Sequence, residues 1–177
     1  DASPFVHVAE DGKPATFNPR DLPVRLWKEG FVVLCIDVRD TGETSIGPID
    51  NSDNWPPRTR NPRNFNGSRW GHDVLAIRAL GIGRSRSAMR VLDVSRAVDL
   101  LDARSLLARP AILIGEDRGA VWALKAAAFD RRRIGAVLGL RMLGSYRFLT
   151  DNPDYNQFNH FWVPGALLDY DLPMLPA

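Results

Sequence analysis

The sequence is poor in cysteine, histidine and lysine. Of its 177 residues one is cysteine, Cys35, so no internal disulfide framework can form. A single thiol also excludes a cysteine-rich zinc site, and three histidines leave little for any metal cluster. No apolar run approaches the ~20 residues that a membrane-spanning helix needs. Neither a phosphate-cradling glycine loop nor a dinucleotide glycine cluster occurs, so no cofactor is expected. A strong charge imbalance is also missing. The 23 basic residues, 20 Arg and 3 Lys, face 21 acids and leave a net +2. That argues against a nucleic-acid module. The one basic run, Arg131-Arg132-Arg133, reads as a solvated surface.

What is present is globular. Apolar residues make up 45% and charged residues 25%, a balance that excludes a disordered chain. The length suits one domain with a useful core. The chain opens Asp1-Ala2-Ser3 without an initiator Met or a signal pattern, and stops after an apolar stretch. The expectation is a single domain over 1–177 taken from a longer protein, with that protein's other domains as partners. Segment 47–67 holds four prolines and reads as an irregular excursion, too long for a plain connector.

Apolar patterning sets the expected elements. Pro4–Val8 is short and β-prone, and Glu10-Asp11-Gly12-Lys13 reads as a turn. Pro19–Glu29 is a helix stopped by Gly30. Phe31–Ile36 is apolar at every position, as in a parallel strand buried on both faces. Trp70–Leu80 and Ser87–Ala103 are helices. Met89, Leu92, Ala97, Leu100 and Leu101 form the apolar side of the second, with Arg90, Asp93, Arg96 and Asp99 on the polar side. Pro110–Ile114 and Ile134–Leu140 are further strands, and Ala120–Phe129 is an alanine-rich helix. Strands alternating with helices imply a three-layer α/β fold with a mostly parallel sheet.

The informative motif is Gly115-Glu116-Asp117-Arg118-Gly119, placed between a strand and a helix. Its layout is that of a nucleophile elbow, Gly-x-Ser-x-Gly, with Asp117 where the serine stands. The two glycines let strand and helix approach closely. The central side chain is displayed at the carboxyl end of the sheet, where sites form in open α/β folds. The N–H of Arg118 faces the place of an oxyanion.

These residues resemble the α/β-hydrolases, in particular their acetyl-xylan-esterase-like branch and the related dienelactone-hydrolase- and peptidase-like branches. Gly30–Thr44, with Asp37-Val-Arg39-Asp-Thr-Gly42-Glu, is similar to the family's strand and its D-x-R-G-x-G-E-S loop. Met89–Ala97 resembles the helix before the elbow strand. Phe5–Lys13 resembles the earlier strand and its oxyanion-side loop. Tyr155–Leu175 resembles the segment leading to the strand that carries the catalytic acid. The likeness covers most of the chain. It implies hydrolysis of a carboxylic ester, such as an acetyl group on a polysaccharide, and from that an exported or extracellular place. It implies position 117 as the catalytic elbow and Arg118, Asp11 and Gly12 around the oxyanion. The family's acid loop and catalytic His fall beyond Ala177, so the chain alone is not expected to turn over ester by the serine route.

Asp117 has alternative readings. Aspartate is the nucleophile of dehalogenases and epoxide hydrolases, which also resemble this fold; a carboxylate can form an ester that water then cleaves. Alternatively the site is degenerate, in a non-catalytic module used for packing or carbohydrate binding. Glu116 adds a second carboxylate suited to acid–base work, unless the two point to different sides of the turn. His160, in Asn159-His160-Phe161-Trp162, is a possible base. His7 and His72 read as strand and helix residues, Asp37 and Arg39 as holders of their loop, and Ser85 and Ser87 as helix caps.

Overall fold

A computed structural model describes residues 2–14, 16–45, 76–151, 163 and 165–175. The 47–67 excursion, the start of the helix expected from Trp70, and His72 and His160 lie outside these residues. The elements follow in chain order as β1 (Phe5–Val8), α1 (Leu22–Lys28), β2 (Val33–Ile36), α2 (Arg86–Ala103), β3 (Ala111–Glu116), α3 (Arg118–Phe129), β4 (Ile134–Leu140), α4 (Arg147–Asp151) and α5 (Ala166–Asp169). Residues 76–81 are helical, and 3-10 turns occupy Gly42–Thr44 and Leu172–Met174.

The four strands form one sheet in the order β2-β1-β3-β4, and every pairing is parallel. Parallel neighbours need crossover connections, which α1, α2 and α3 supply. The result is the expected three-layer α/β fold. The chain first steps from β1 to β2 and then turns back to lay β3 on the other side of β1. That reversal opens a crevice beyond the carboxyl ends of β1 and β3, the position where open parallel sheets bind ligands.

The core is built on α3. Its residues Gly119–Ala127 are all buried, as expected of a helix that is apolar all round. One stripe, with Trp122, Ala123, Ala126 and Ala127, packs with Val6, Val8, Leu113, Val94 and Val98. The other, with Val121 and Leu124, meets Tyr146, Ala166 and Leu172. Alanines bring the helix axis close to the sheet, and Trp122 fills the space left beside α2.

Three sequence expectations change. Phe31–Ile36 does not form a strand buried on both faces. Among the described strands β2 is an edge, and its four residues are half-buried because a neighbour covers one side only. On α2 the docked register is Val91, Val94, Val98 and Leu101, while Leu92 and Leu100 stay 48% and 46% exposed. Residues at i, i+3, i+7 and i+10 share a face, and β-branched residues take it here. Arg90, expected on the polar side, goes in with them. It lies 4.6 Å over the Trp122 ring and donates from Nε to the Arg39 carbonyl at 3.1 Å. Ser85 is the N-cap of α2, accepting from the Ala88 N–H, whereas Ser87 is a buried residue inside the first turn.

Candidate functional site

Asp117 stands at φ 53°, ψ −118°. This is the mirror image of the −60°, +120° corner of a type II turn, a conformation that normally belongs to glycine. Holding a side chain there costs about 1–3 kcal/mol. Hydrogen bonds pin the strained residue. Its N–H donates to the Leu140 carbonyl at 2.9 Å, and its carbonyl accepts from the Ala120 N–H at 3.2 Å.

The two flanking glycines are required by distance. A Cβ on Gly115 would lie 2.6 Å from the Ala120 nitrogen, and one on Gly119 would lie 2.7 Å from the Val8 carbonyl carbon. Gly115 therefore lets β3 meet the start of α3, and Gly119 lets α3 meet the end of β1. The expected strand–elbow–helix geometry is formed at the crevice.

Around Asp117 the charges are paired in a chain. His7 Nε2 meets Glu116 Oε1 at 2.9 Å, and the second Glu116 oxygen accepts from Arg141 Nη2 at 3.2 Å. Arg141 also clamps Asp117 bidentately, Nε to Oδ1 at 2.9 Å and Nη2 to Oδ2 at 3.0 Å. Glu116 and Asp117 thus do not part to different sides; Arg141 serves both. Its hydrogen bonds hold the Asp117 carboxyl below the usual carboxylate range. Arg141 itself has φ 53°. Two strained residues thus stand side by side at the ends of the adjacent strands β3 and β4.

Arg118, next to Asp117 in sequence, turns its guanidinium to Glu10. Burial pushes the Glu10 carboxyl up, against the pull of Arg118, and the nearby Asp11 and Asp117 charges push the same way. The site therefore holds one carboxylate kept ionised and another moved toward protonation. That division suits separate base or nucleophile and acid roles. The Arg118 N–H opens α3, where a helix leaves its first N–H groups without an intrahelical acceptor.

Asp11 and Gly12 lie in the tight turn at the end of β1. The Gly12 N–H donates to the Ala9 carbonyl at 3.2 Å, and the Asp11 carbonyl accepts from Gly42 at 3.0 Å. The first contact closes the turn, and the second fastens the loop after β1 to the loop after β2. Asp37 and Arg39 hold that second loop. Burial raises the Asp37 carboxyl, but hydrogen bonds from the Lys13 and Glu43 backbones and the Lys13 ammonium outweigh it and set it low. Arg39 takes both oxygens of Asp93, at 2.8 and 2.5 Å.

Among the described residues no histidine reaches Asp117. His7 is 3% exposed and held by Glu116. The sequence reading missed Arg141, Glu10 and the His7–Glu116 pair. Arg141 follows β4 and is remote in sequence, so only strand order could bring it to Asp117. Glu10 had a signal, its place directly after β1.

No family model matches the chain, and no curated protein sequence matches it. No described helix is long and apolar enough to cross a membrane, and no described group of histidine, cysteine and acidic residues could hold a metal ion. What is established is an α/β protein with a four-stranded, all-parallel sheet, an architecture compatible with the α/β-hydrolase fold.

Proposed function

We propose that the chain is an α/β-hydrolase-like domain of the carboxylic-ester hydrolase kind, similar to acetyl-xylan esterases, with Asp117 in the place of the nucleophilic serine. One observation carries this reading: a strained non-glycine residue between two sterically required glycines, at the crevice where the sheet order reverses. In this role Asp117 meets the substrate's reacting carbon, and the Arg118 N–H and the Asp11–Gly12 loop flank the developing oxyanion. Glu10, ion-paired with the Arg118 side chain, holds the start of α3 against the loop after β1. The substrate is a small ester or an ester on a polysaccharide.

The Arg141 clamp favours a second reading, a non-catalytic module that keeps the elbow but holds its carboxylate in an ion pair. A third, an aspartate-nucleophile hydrolase, shares the elbow and differs in forming an alkyl ester on Asp117.

The test measures p-nitrophenyl acetate and acetylated-xylan hydrolysis by the full-length protein as wild type, Asp117→Ser, Asp117→Ala and Arg141→Met. Mass spectrometry after incubation with an alkyl halide or an epoxide follows any adduct on Asp117. Ester hydrolysis lost in Asp117→Ala, or gained in Asp117→Ser, supports the ester-hydrolase reading. An adduct abolished by Asp117→Ala supports the aspartate nucleophile. Absence of turnover and adduct in every variant, with retention on a soluble polysaccharide gel, leaves the non-catalytic module.

A further inference from the structure

A second cleft, of about 740 Å3, lies away from the elbow glycines and Asp117. It has three walls. Arg78, Ala79 and Ile82 come from the 76–82 stretch. Arg86, Met89, Asp93 and Arg96 line one face of α2 at helical spacing. The loop after β2 closes the third side with Asp37, Arg39, Asp40 and Thr44. The volume lies in the range of small-molecule sites.

The polar groups of this cleft are unequally used. All three carboxylates are filled. Asp93 accepts from the Arg39 backbone and from both sides of its guanidinium. Asp37 accepts from two backbone N–H groups and the Lys13 ammonium. Asp40 is paired with Arg86 and Arg90. Donors are in surplus. Arg78 is exposed and has no acidic partner among the described residues, and Arg96, with a side chain 72% exposed, gives a single contact to Asp99. Beside them the wall is apolar: Ala79, Met89 and Ile82, which is 74% exposed.

We propose that this cleft binds a small organic anion, an apolar body carrying one carboxylate, with Arg78 taking the acid group and Ile82 and Met89 covering the body. Filled carboxylates leave no acceptors for a cation. An inorganic oxyanion, which has no apolar body, would leave the apolar wall uncovered. An acid with an apolar body meets both parts of the surface, and a guanidinium binds a carboxylate through two parallel hydrogen bonds. The inference does not rest on the proposed hydrolase activity.

The experiment is calorimetric titration of the full chain with 2-naphthoate, and with its neutral amide as control. Saturable binding of the acid, weaker binding of the amide, and a loss of about tenfold or more in Arg78→Gln are expected, the size of a lost charged hydrogen bond. Asp117→Asn is expected to bind like the wild type. Arg78→Gln changes an exposed side chain, and its unchanged melting temperature will show an intact fold. No saturable binding, equal affinity for the amide, or an unaffected Arg78→Gln would each overturn the proposal. So would loss of binding in Asp117→Asn alone, which would place the ligand at the elbow.

Discussion

Lys125 is a charged group in the wrong solvent, and removing it should stabilise the protein. It sits on α3, 4% exposed, with Nζ 5.0 Å from the Tyr146 ring centroid and 3.4 Å from Ser87 Oγ. Neither partner carries opposite charge. Burial therefore pushes its ammonium down from the ordinary 10.5 to about 8. At 1.36 kcal/mol for each tenfold step, that gap disfavours the folded state by about 3 kcal/mol at pH 7. The contact with Tyr146 returns about 1 kcal/mol. Lys125→Met, similar in length and uncharged, should therefore gain about 2 kcal/mol at pH 7.

The sign with pH follows from proton counting. Between about pH 8 and 10.5 the unfolded chain holds the Lys125 proton and the folded chain has released it. Wild-type stability should rise through that window, and the advantage of the variant should shrink to nothing near its top. Burial raises the Tyr146 and Tyr170 hydroxyls, which works the other way above about pH 10. The difference between the two proteins cancels those tyrosines. Urea unfolding followed by tryptophan fluorescence at pH 7, 8, 9 and 10 gives this difference directly. A variant less stable than the wild type at pH 7, or a difference that does not move with pH, would refute the argument.

Three further outcomes test the rest. Gly119→Ala puts a methyl into the Val8 carbonyl and should lower stability by about 2 kcal/mol or more, read as a fall in melting temperature. Asp117→Gly and Asp117→Ala both lose the Arg141 clamp, but only the first relieves the backbone at φ 53°, so the Gly variant should be about 1 kcal/mol more stable than the Ala variant in urea unfolding. Asp40→Asn removes the carboxylate between the buried Arg86 and Arg90 and should cost about 3–5 kcal/mol by chemical denaturation.

Local patterns are legible where one segment carries its own reason. The apolar runs at 110–114 and 134–140 announced parallel strands, and Gly115 and Gly119 announced a tight strand-to-helix turn. The turn follows from backbone sterics and the β3 run from burial of a central strand, whereas β4, an edge among the described strands, leaves much of its apolar run exposed. By itself the sequence determined that this chain alternates strand and helix, and that position 117 lies in a tight turn between a strand and a helix. It could not say which face of α2 goes inward, because Leu92 and Val91 are equally apolar and only docking against Trp122 and the sheet chooses between them. Nor could it say that Asp117 belongs with Arg141 rather than with its neighbour Arg118. Twenty-four residues separate the first pair, and the order β1-β3-β4 sets Asp117 and Arg141 side by side. The turn at the elbow meanwhile sends the Arg118 side chain toward Glu10. Sequence fixes the conformation of a turn through the residues within it. Which charges meet across the crevice depends on strand order, and that is a property of the assembled sheet.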